Sequence, residues 1–520
     1  MKHGCFWRSL YSFSLVSALA VTASAMPPKK VEVEDPNAPI SYYKKIRPIL
    51  QAQCQGCHQP AKAKGGYVMT DFAKLMVGGE DCAKDKKTAV VPKSPDTSFL
   101  VQQITPKDGE AEMPPKKAAL AETEIALIRR WINEGAVDDT PTNARQHVDA
   151  EHPPVYQRPP VVTSLAYSPD GSLLAVAGFH EILLWSGDGS QLLGRLIGLS
   201  ERIQTIRFSP DGTKLAASGG RPAQMGEIQI WDVAKRKLTL SAAIGFDTVY
   251  GVNWSPDAKI LSFGCPDNSV RAINADTGAQ VLLQTSHSDW VLDTVFTHHG
   301  DQLVSVGRDM SAKLTEVASQ RFIDNISSIT PGALRGGLQT VARHPERDEF
   351  LVGGADGVPQ AYRIVRKVQR RIGDNALCIR RWPAMEGRIY GVAFAPDGKS
   401  FAAVSSLDGT GAVNFYNYDF NTDMPDDIVA IEGKAARTEE EKKKLEDHYT
   451  SQTKLLASVP VASGQYALAY QADGQTVAAA GEDGKVRLIH PADGKVTKEF
   501  IPVPIGATPA VAQTAALETK

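Results

Sequence analysis

The sequence predicts a multidomain chain in which a small all-α domain precedes an all-β propeller of seven blades. Three observations lead to this prediction: the length of 520 residues, a turn that recurs through the second part, and a helical stretch around a cysteine motif near the start. A chain of this length exceeds one ordinary core, so two or three domains are expected. Hydrophobic residues make up 42% and charged residues 22%, which is typical of globular domains.

The recurring turn decides the fold of the second part. Strand-like runs end in a turn of Pro-Asp-Gly type, or a variant of it, at seven places: 167–171, 208–212, 254–258, 296–300, 343–347, 394–398 and 470–474. Proline presets φ and glycine accepts a positive φ, as a tight turn requires. The first five intervals are 41 to 51 residues long and the last is 76. Four-stranded units with periods of about 40–45 residues are typical of propeller blades, so we predict a seven-bladed propeller at 161–505.

The extra length of the last interval falls in an insertion near 420–455. Its sequence TEEEKKKLEDHY places Thr438 and Glu441 at the spacing of a capping box. We therefore expect a charged surface helix, which is either simply solvated or a docking site.

The repeats resemble the WD-repeat family over about 340 residues. The best unit runs from SHSDWV (286–291) to SVGRDMSAKL (305–314), and the second blade carries the Trp231-Asp232 pair. The resemblance implies that His287 and Asp309 form a structural hydrogen-bond network. Most other blades lack the histidine and so depart from the strict WD pattern at this position.

The N-terminus has the pattern of a secretory signal peptide at 1–25. Lys2 and Arg8 precede an apolar stretch, and Ala23-Ser24-Ala25 fits the rule for signal cleavage. An uncleaved membrane anchor is the alternative, although the stretch is short for a bilayer span. We expect a bacterial protein exported to the periplasm or beyond, with no integral membrane segment after cleavage and a flexible, proline-rich leader at 26–40.

Residues 54–58 read CQGCH, the motif that attaches c-type haem in exported proteins. Two intervening residues place the sulfurs of Cys54 and Cys57 on one turn, where each can form a thioether to the porphyrin, and His58 then reaches the iron. A thioredoxin-like pair would need a βαβ setting, and a zinc site would need a second pair of ligands; the sequence offers neither. One covalent haem c is the predicted cofactor.

The second axial ligand is expected downstream of the motif. Met113 is the best candidate, because the two prolines that follow it would hold its thioether in place. Met69 and Met76 are the alternatives. A helix at 122–135 would pack beside the haem. Its apolar stripe is formed by Ile125, Ile128 and Ile132, with Leu127 and Trp131 beside it.

The span 42–137 closely resembles the cytochrome c domain common in planctomycete-type bacteria. The shared motifs are IRPI (46–49), CQGCH, KGG (64–66), VVP (90–92), MPP (113–115), EIALI (124–128) and WINEGA (131–136). The resemblance implies haem attachment at Cys54 and Cys57 and axial ligation by His58 and Met113, within a domain at 41–137. Ala121 stands where the family usually has a capping serine, so we expect Thr123 to cap the helix. A proline-rich linker at 138–160 and a loose tail at 506–520 complete the predicted organisation.

Function follows from the haem motif more than from the propeller. We expect an electron-transfer protein whose propeller docks an unknown redox partner protein, rather than an enzyme. The alternatives are a redox enzyme similar to cytochrome cd-type nitrite reductases and a redox-sensing scaffold. The enzyme would need a second cofactor in the propeller, for which the candidate ligands are His180, His298, His299 and His344. Three of these histidines, His298, His299 and His344, lie at turn positions where other repeats have serine, proline or aspartate. We therefore expect them to be hydrogen-bonded turn residues rather than ligands.

The net charge and the other cysteines bear on further classes of protein. The net charge of −2 argues against a nucleic-acid binder, which needs a basic surface. Cys5 lies in the expected signal peptide, and Cys82, Cys265 and Cys378 are the other cysteines outside the haem motif. We expect buried, inert thiols at Cys265 and Cys378 because both lie in strand-like runs.

Overall fold

The computed structural model describes residues 38–59, 62–115, 118–141, 148–327, 335–371 and 374–506. The expected signal peptide, almost all of the leader and all but the first residue of the tail lie outside these ranges. The chain from Ile40 onward forms one compact unit. Among the described helices, none is both long and apolar enough to cross a membrane.

A small helical region comes first. It consists of a π-helical turn followed by five short helices, which are Tyr42–Ile46, α1 (Arg47–Gln53), α2 (Phe72–Val77), α3 (Glu80–Lys84), α4 (Phe99–Ile104) and α5 (Glu122–Asn133). Side chains cap two of them: Ser41 Oγ accepts from the amide of Lys44 at 2.9 Å, and Asp71 accepts from the amide of Lys74 at 2.8 Å. Caps of this kind satisfy backbone donors that the first helical turn leaves free.

Helix α5 supplies much of the core of this region. Its predicted stripe is confirmed, because Ile125, Ile128 and Ile132 are buried together with Trp131. The predicted cap is wrong, since the helix begins at Glu122 and Thr123 lies inside it. The Glu124 carboxylate accepts from the amide of Ala121 at 3.0 Å, so an acidic side chain inside the first turn does part of the work of the missing cap.

The rest of the chain is mostly β. The first sheet contains seven antiparallel strands in sequence order, namely β3 (Leu165–Tyr167), β4 (Leu173–Ala177), β5 (Phe179–Ser186), β6 (Leu192–Phe208), β7 (Lys214–Arg221), β8 (Met225–Asp232) and β9 (Lys237–Gly245). The two short strands that precede it, β1 (His58–Gln59) and β2 (Lys62–Ala63), pair only with each other.

Five four-stranded antiparallel sheets follow, each with its strands in sequence order. Their strands are β10 (Tyr250–Trp254), β11 (Ile260–Gly264), β12 (Val270–Asn274), β13 (Gln280–Gln284), β14 (Val291–Phe296), β15 (Gln302–Gly307), β16 (Ala312–Glu316), β17 (Phe322–Asn325), β18 (Leu338–Arg343), β19 (Glu349–Gly354), β20 (Gln360–Arg363), β21 (Cys378–Arg381), β22 (Arg388–Phe394), β23 (Ser400–Leu407), β24 (Thr410–Asn417), β25 (Leu455–Val461), β26 (Gln465–Tyr470), β27 (Val477–Gly481), β28 (Val486–His490) and β29 (Lys495–Phe500).

The first sheet contains two four-stranded units that share one long strand. The first half of β6 pairs with β5, whereas its second half, from Arg202 to Phe208, pairs with β7. The strands that begin the units also contact one another in sequence, from β3 through β6, β10, β14, β18 and β22 to β26, and β26 in turn contacts β3.

All seven predicted turns directly follow the first strand of a unit. In three of them a serine hydroxyl closes the turn: the amides of Leu173, Lys214 and Ile260 each donate to the hydroxyl five residues earlier at 2.9 Å. Ala258 replaces the glycine of the third turn and still adopts a positive φ of 58°. The serine and aspartate hydrogen bonds therefore hold the turn shape even where glycine is absent.

The insertion forms two helices, α6 (Asp426–Glu432) and α7 (Glu439–Thr450). The predicted capping box is confirmed, since Thr438 and Glu441 exchange hydrogen bonds of 3.0 and 3.2 Å. One face of α7 is nevertheless buried: Leu445 and Tyr449 pack into a cluster with residues of the neighbouring sheet. The charged helix is thus part of the core on one side and solvated on the other.

The end of the predicted linker packs against the sheets. Tyr156 is buried and its hydroxyl donates to the Glu181 carboxylate at 2.7 Å. Its backbone also forms a parallel bridge with Ile505, close to the end of the described chain. The segment that enters the β region is therefore anchored by both side-chain and backbone contacts.

Candidate functional site

The CQGCH segment forms a single tight turn at the end of α1. Cys54 ends the helix, and the amides of Cys57 and His58 both donate to its carbonyl oxygen at 3.1 Å. Neither thiol forms a disulfide. The turn therefore brings two free thiols and an imidazole together, as thioether attachment and proximal ligation would require.

His58 is held at the start of β1, where it pairs with Ala63. Its Nδ1 atom is buried and has no hydrogen-bond partner among the described residues. Burial lowers the pKa of His58, so the ring is held in the neutral form that ligates metals. The Tyr67 ring lies beside it, with 5.4 Å between ring centroids.

The Cys54 thiol is unsuited to thiol–disulfide exchange. Burial, with a smaller contribution from Glu124, raises its pKa to about 12. Catalytic cysteines of redox pairs have depressed pKa values, because the thiolate is the reactive form. The environment of Cys54 therefore disfavours the thioredoxin-like interpretation of the motif.

Three methionines lie near the motif in the same apolar cluster. Met69 is buried there, and Met76 and Met113 pack against the cluster, as does Cys54. The amide of Met69 donates to the His58 carbonyl at 2.8 Å, and the amide of Met113 donates to the Gln103 carbonyl at 2.9 Å. The structure thus brings all three candidate thioethers to the cluster that borders the motif.

These residues fit a covalent haem on three counts. The thiols are free, the His58 imidazole lies on the same turn, and the surrounding cluster is apolar. Cys54, Cys57 and His58 could hold the group, with Met113, Met69 or Met76 as the second ligand.

The motif also touches the β region, a contact that the sequence did not predict. A Cβ atom built at Gly56 would lie 2.5 Å from the backbone oxygen of Ser241 in β9. Lys62 of β2, six residues after Gly56, donates from Nζ to the Thr239 carbonyl at 2.6 Å. The turn that carries both thiols is therefore packed against the outer strand of the first sheet.

The predicted WD-type network is present in the unit that begins with β14. His287 Nδ1 lies 3.0 Å from the Asp309 carboxylate, and its Nε2 lies 2.8 Å from Ser305 Oγ. Burial alone would raise the pKa of Asp309, but hydrogen bonds from His287 and Ser311 outweigh it and lower the pKa to about 2. The network joins the segment before β14, strand β15 and the turn after β15, and the side chains of His287 and Asp309 are buried.

The four candidate ligands for a second haem are dispersed over three sheets. His180 lies in β5, His298 and His299 follow β14, and His344 follows β18. His344 closes its turn, because its Nδ1 accepts from the amides of Glu346 and Arg347 at 3.1 and 3.2 Å. His344 therefore stabilises its turn with its side chain, through amides two and three residues later rather than the fifth.

Three further thiols lie in the part of the chain that the structure describes. Cys82, Cys265 and Cys378 are buried and unpaired. Burial raises the pKa of both Cys265 and Cys378 to about 12, which confirms the prediction of buried thiols for these two.

Comparison with known families agrees with this geometry. Residues 54–117 match the family described as Planctomycete cytochrome C, and residues 454–490 match the WD domain, G-beta repeat. The first match includes both cysteines, His58 and Met113. The resemblance predicted from the sequence is thus confirmed: the chain carries a cytochrome c-like segment followed by WD repeats.

Curated relatives share the repeat region. The chain is 24% identical over 362 residues to Cilia- and flagella-associated protein 52 of Chlamydomonas reinhardtii, covering 64% of this chain and 55% of the relative. It is 25% identical over 205 residues to Eukaryotic translation initiation factor 3 subunit I of Coccidioides immitis, covering 36% and 58%. Coronin-7 of Bos taurus is 33% identical over 127 residues, covering 23% and 14%. The chain spans less than two thirds of each of these relatives.

Proposed function

We propose that this protein is an exported c-type cytochrome that transfers single electrons. One haem would be held covalently by Cys54 and Cys57, with its iron bound by His58 and Met113. The observation that carries the proposal is the presence of two free thiols and the His58 imidazole on a single tight turn. The family match over residues 54–117 supports it.

A bound haem would supply one-electron chemistry at an iron whose axial positions are both filled, which suits a carrier. The chain's own residues hold and shield the site. Helix α1 fixes the thiols, the apolar cluster excludes water, and burial keeps His58 neutral. Exclusion of water limits the solvent reorganisation that accompanies a change in charge.

The β region would be a seven-bladed propeller that docks the redox partner. Seven four-stranded units, with β6 shared between two of them, support this proposal. So does the contact of β26 with β3, which would close the ring of first strands. WD repeats are a common platform for protein partners, and the loops at the two ends of a propeller are free to bind them.

We propose that the chain is exported and that haem is attached after export. The pattern of the first 25 residues supports it, because thioether formation to haem is expected in an exported chain. The mature protein would then begin near Met26.

A redox-sensing scaffold is the second candidate. The observation that favours it is the direct packing of Gly56 and Lys62 against β9, since a change at the haem could then be passed to the propeller. Reduction would alter the protease sensitivity of the β region in a sensor and leave it unchanged in a simple carrier.

A redox titration of the purified full chain tests the proposed function. We expect one reversible, one-electron transition in the visible spectrum, with no activity toward nitrite. Two transitions of different haem type, or turnover of nitrite by the reduced protein, would contradict the proposal and favour the enzyme.

A further inference from the structure

A cavity of about 290 Å³ lies between the helical region and the first sheet. One wall is formed by α1 and the turn that follows it, through Arg47, Gln51 and Gln55, which recur at every fourth residue and so share one face. The opposite wall contains His180 of β5 and Arg221 at the end of β7. Two guanidinium groups therefore enter the same cavity from opposite sides.

Two donors at this cavity lack partners. Thr70 Oγ1 and Arg221 Nε are buried and form no hydrogen bond within the part of the chain that the structure describes. The Glu201 carboxylate lies 4.0 Å from Arg221 Nε, which is too far for a hydrogen bond. Buried donors that stay unsatisfied are costly, so a missing acceptor is the simplest explanation for both.

Two guanidinium groups and two carboxylates line the cavity, and the Glu201 carboxylate is a further anion near Arg221. Burial, followed by the charge of Arg47, lowers the pKa of Arg221, although the Glu201 and Glu227 carboxylates act in the opposite direction. The Arg47 guanidinium stacks over the Tyr43 ring, 5.1 Å from its centroid. Burial, followed by the charge of Arg221, lowers the pKa of His180 to about 4, so this ring adds no third charge near neutral pH.

The two carboxylates that line the cavity already have roles in the local structure. Asp71 accepts from the Lys74 amide at 2.8 Å and caps α2. Asp138 accepts from the Thr140 amide at 2.9 Å. Neither supplies an acceptor to Thr70 Oγ1 or Arg221 Nε, although both reduce the positive potential that a ligand would meet.

We propose that this cavity binds a small oxyanion. Its oxygens would accept from Thr70 Oγ1, Arg221 and Arg47, and guanidinium groups suit carboxylate and phosphate oxygens because their donors are planar and forked. The volume admits a phosphate or a small dicarboxylate together with water. A bound anion would join α1 to β7 and so fasten the helical region to the sheets, whether or not haem is attached.

Isothermal titration calorimetry of the full chain, in buffer free of oxyanions, tests this proposal with phosphate, sulfate and succinate as separate probes. We expect saturable binding of at least one probe at one site per chain. Phosphate or sulfate binding would identify an inorganic ligand class, and succinate binding a carboxylate class. Failure of all three probes to bind saturably would overturn the proposal.

Substitutions of residues that line the cavity test whether the anion binds there. Arg221→Gln and Thr70→Val should each weaken binding about tenfold or more, because each removes a buried donor to a charged acceptor. The exposed Arg158→Gln makes the same chemical change elsewhere and should bind as the parent does. Thr70→Val preserves side-chain shape, so it decides the matter if Arg221→Gln folds poorly. Unchanged affinity in Thr70→Val and Arg47→Gln would contradict the site.

Discussion

The backbone of Gly56 packs directly against the carbonyl oxygen of Ser241, so closely that a Cβ atom at position 56 would lie 2.5 Å from that oxygen. Residue 56 lies between the two cysteines of the proposed haem motif, whereas Ser241 lies in the outer strand β9 of the first sheet. A backbone oxygen cannot move aside as a side chain can. The contact therefore requires glycine and joins the motif to the β region.

Gly56→Ala should weaken the packing of the helical region on β9. We expect a loss of about 1–3 kcal/mol in unfolding free energy, the usual range for overpacking in a rigid contact. Thermal unfolding followed by circular dichroism measures the change. Gly433→Ala is the matched control, because a methyl group there meets nothing closer than 3.4 Å and the φ of −65° suits alanine. Equal effects of the two substitutions would contradict the proposed contact.

Met113→Ala should abolish thioether ligation of the iron. The oxidised parent should show the weak near-infrared charge-transfer band of methionine–iron ligation, and the variant should lack it because its axial sulfur is gone. Met69→Ala and Met76→Ala are the controls: each removes a methionine from the same apolar cluster but leaves Met113 in place, so the band should remain. Loss of the band in either control, but not in Met113→Ala, would assign the ligand to that methionine instead.

Asp309→Asn should destabilise the β region at neutral pH. The folded pKa of about 2 lies below the ordinary value of 3.8, so the carboxylate contributes stability above that ordinary value and loses it as pH falls toward 2. The shift corresponds to about 2 kcal/mol. Urea unfolding at pH 7 and pH 3 should show the difference between parent and variant shrinking at the lower pH. Asp276→Asn, at a carboxylate that is 73% exposed, should change little at either pH.

Local patterns predicted most of the fold and the proposed site. The motif at 54–58, the turns and the capping box of Thr438 and Glu441 each lie within a few residues, so their geometry follows from neighbours along the chain. The prediction that Thr123 caps α5 is wrong because helix boundaries can shift by one or two residues with small changes in local hydrogen bonding. The helix begins at Glu122, and the Glu124 carboxylate accepts from the amide of Ala121.

Contacts between distant segments could not be predicted. Gly56 and Ser241 are 185 positions apart, and Thr70 and Arg221 come from different elements. Nothing in either local sequence specifies the other surface, because such contacts arise only when whole elements pack. The sequence showed only a glycine inside the haem motif and an arginine at the end of a strand. Both features are common in proteins where they make no such long-range contact.

The covalent attachment of haem is the central claim, and intact-protein mass spectrometry tests it most directly. The chain would be exported from a host that carries a c-type haem attachment system, then denatured and extracted with acidified organic solvent. The account predicts the mass of the processed chain plus one haem, retained in Cys82→Ala and reduced to at most one thioether in Cys54→Ala or Cys57→Ala. The mass of the bare polypeptide in the parent protein would contradict it.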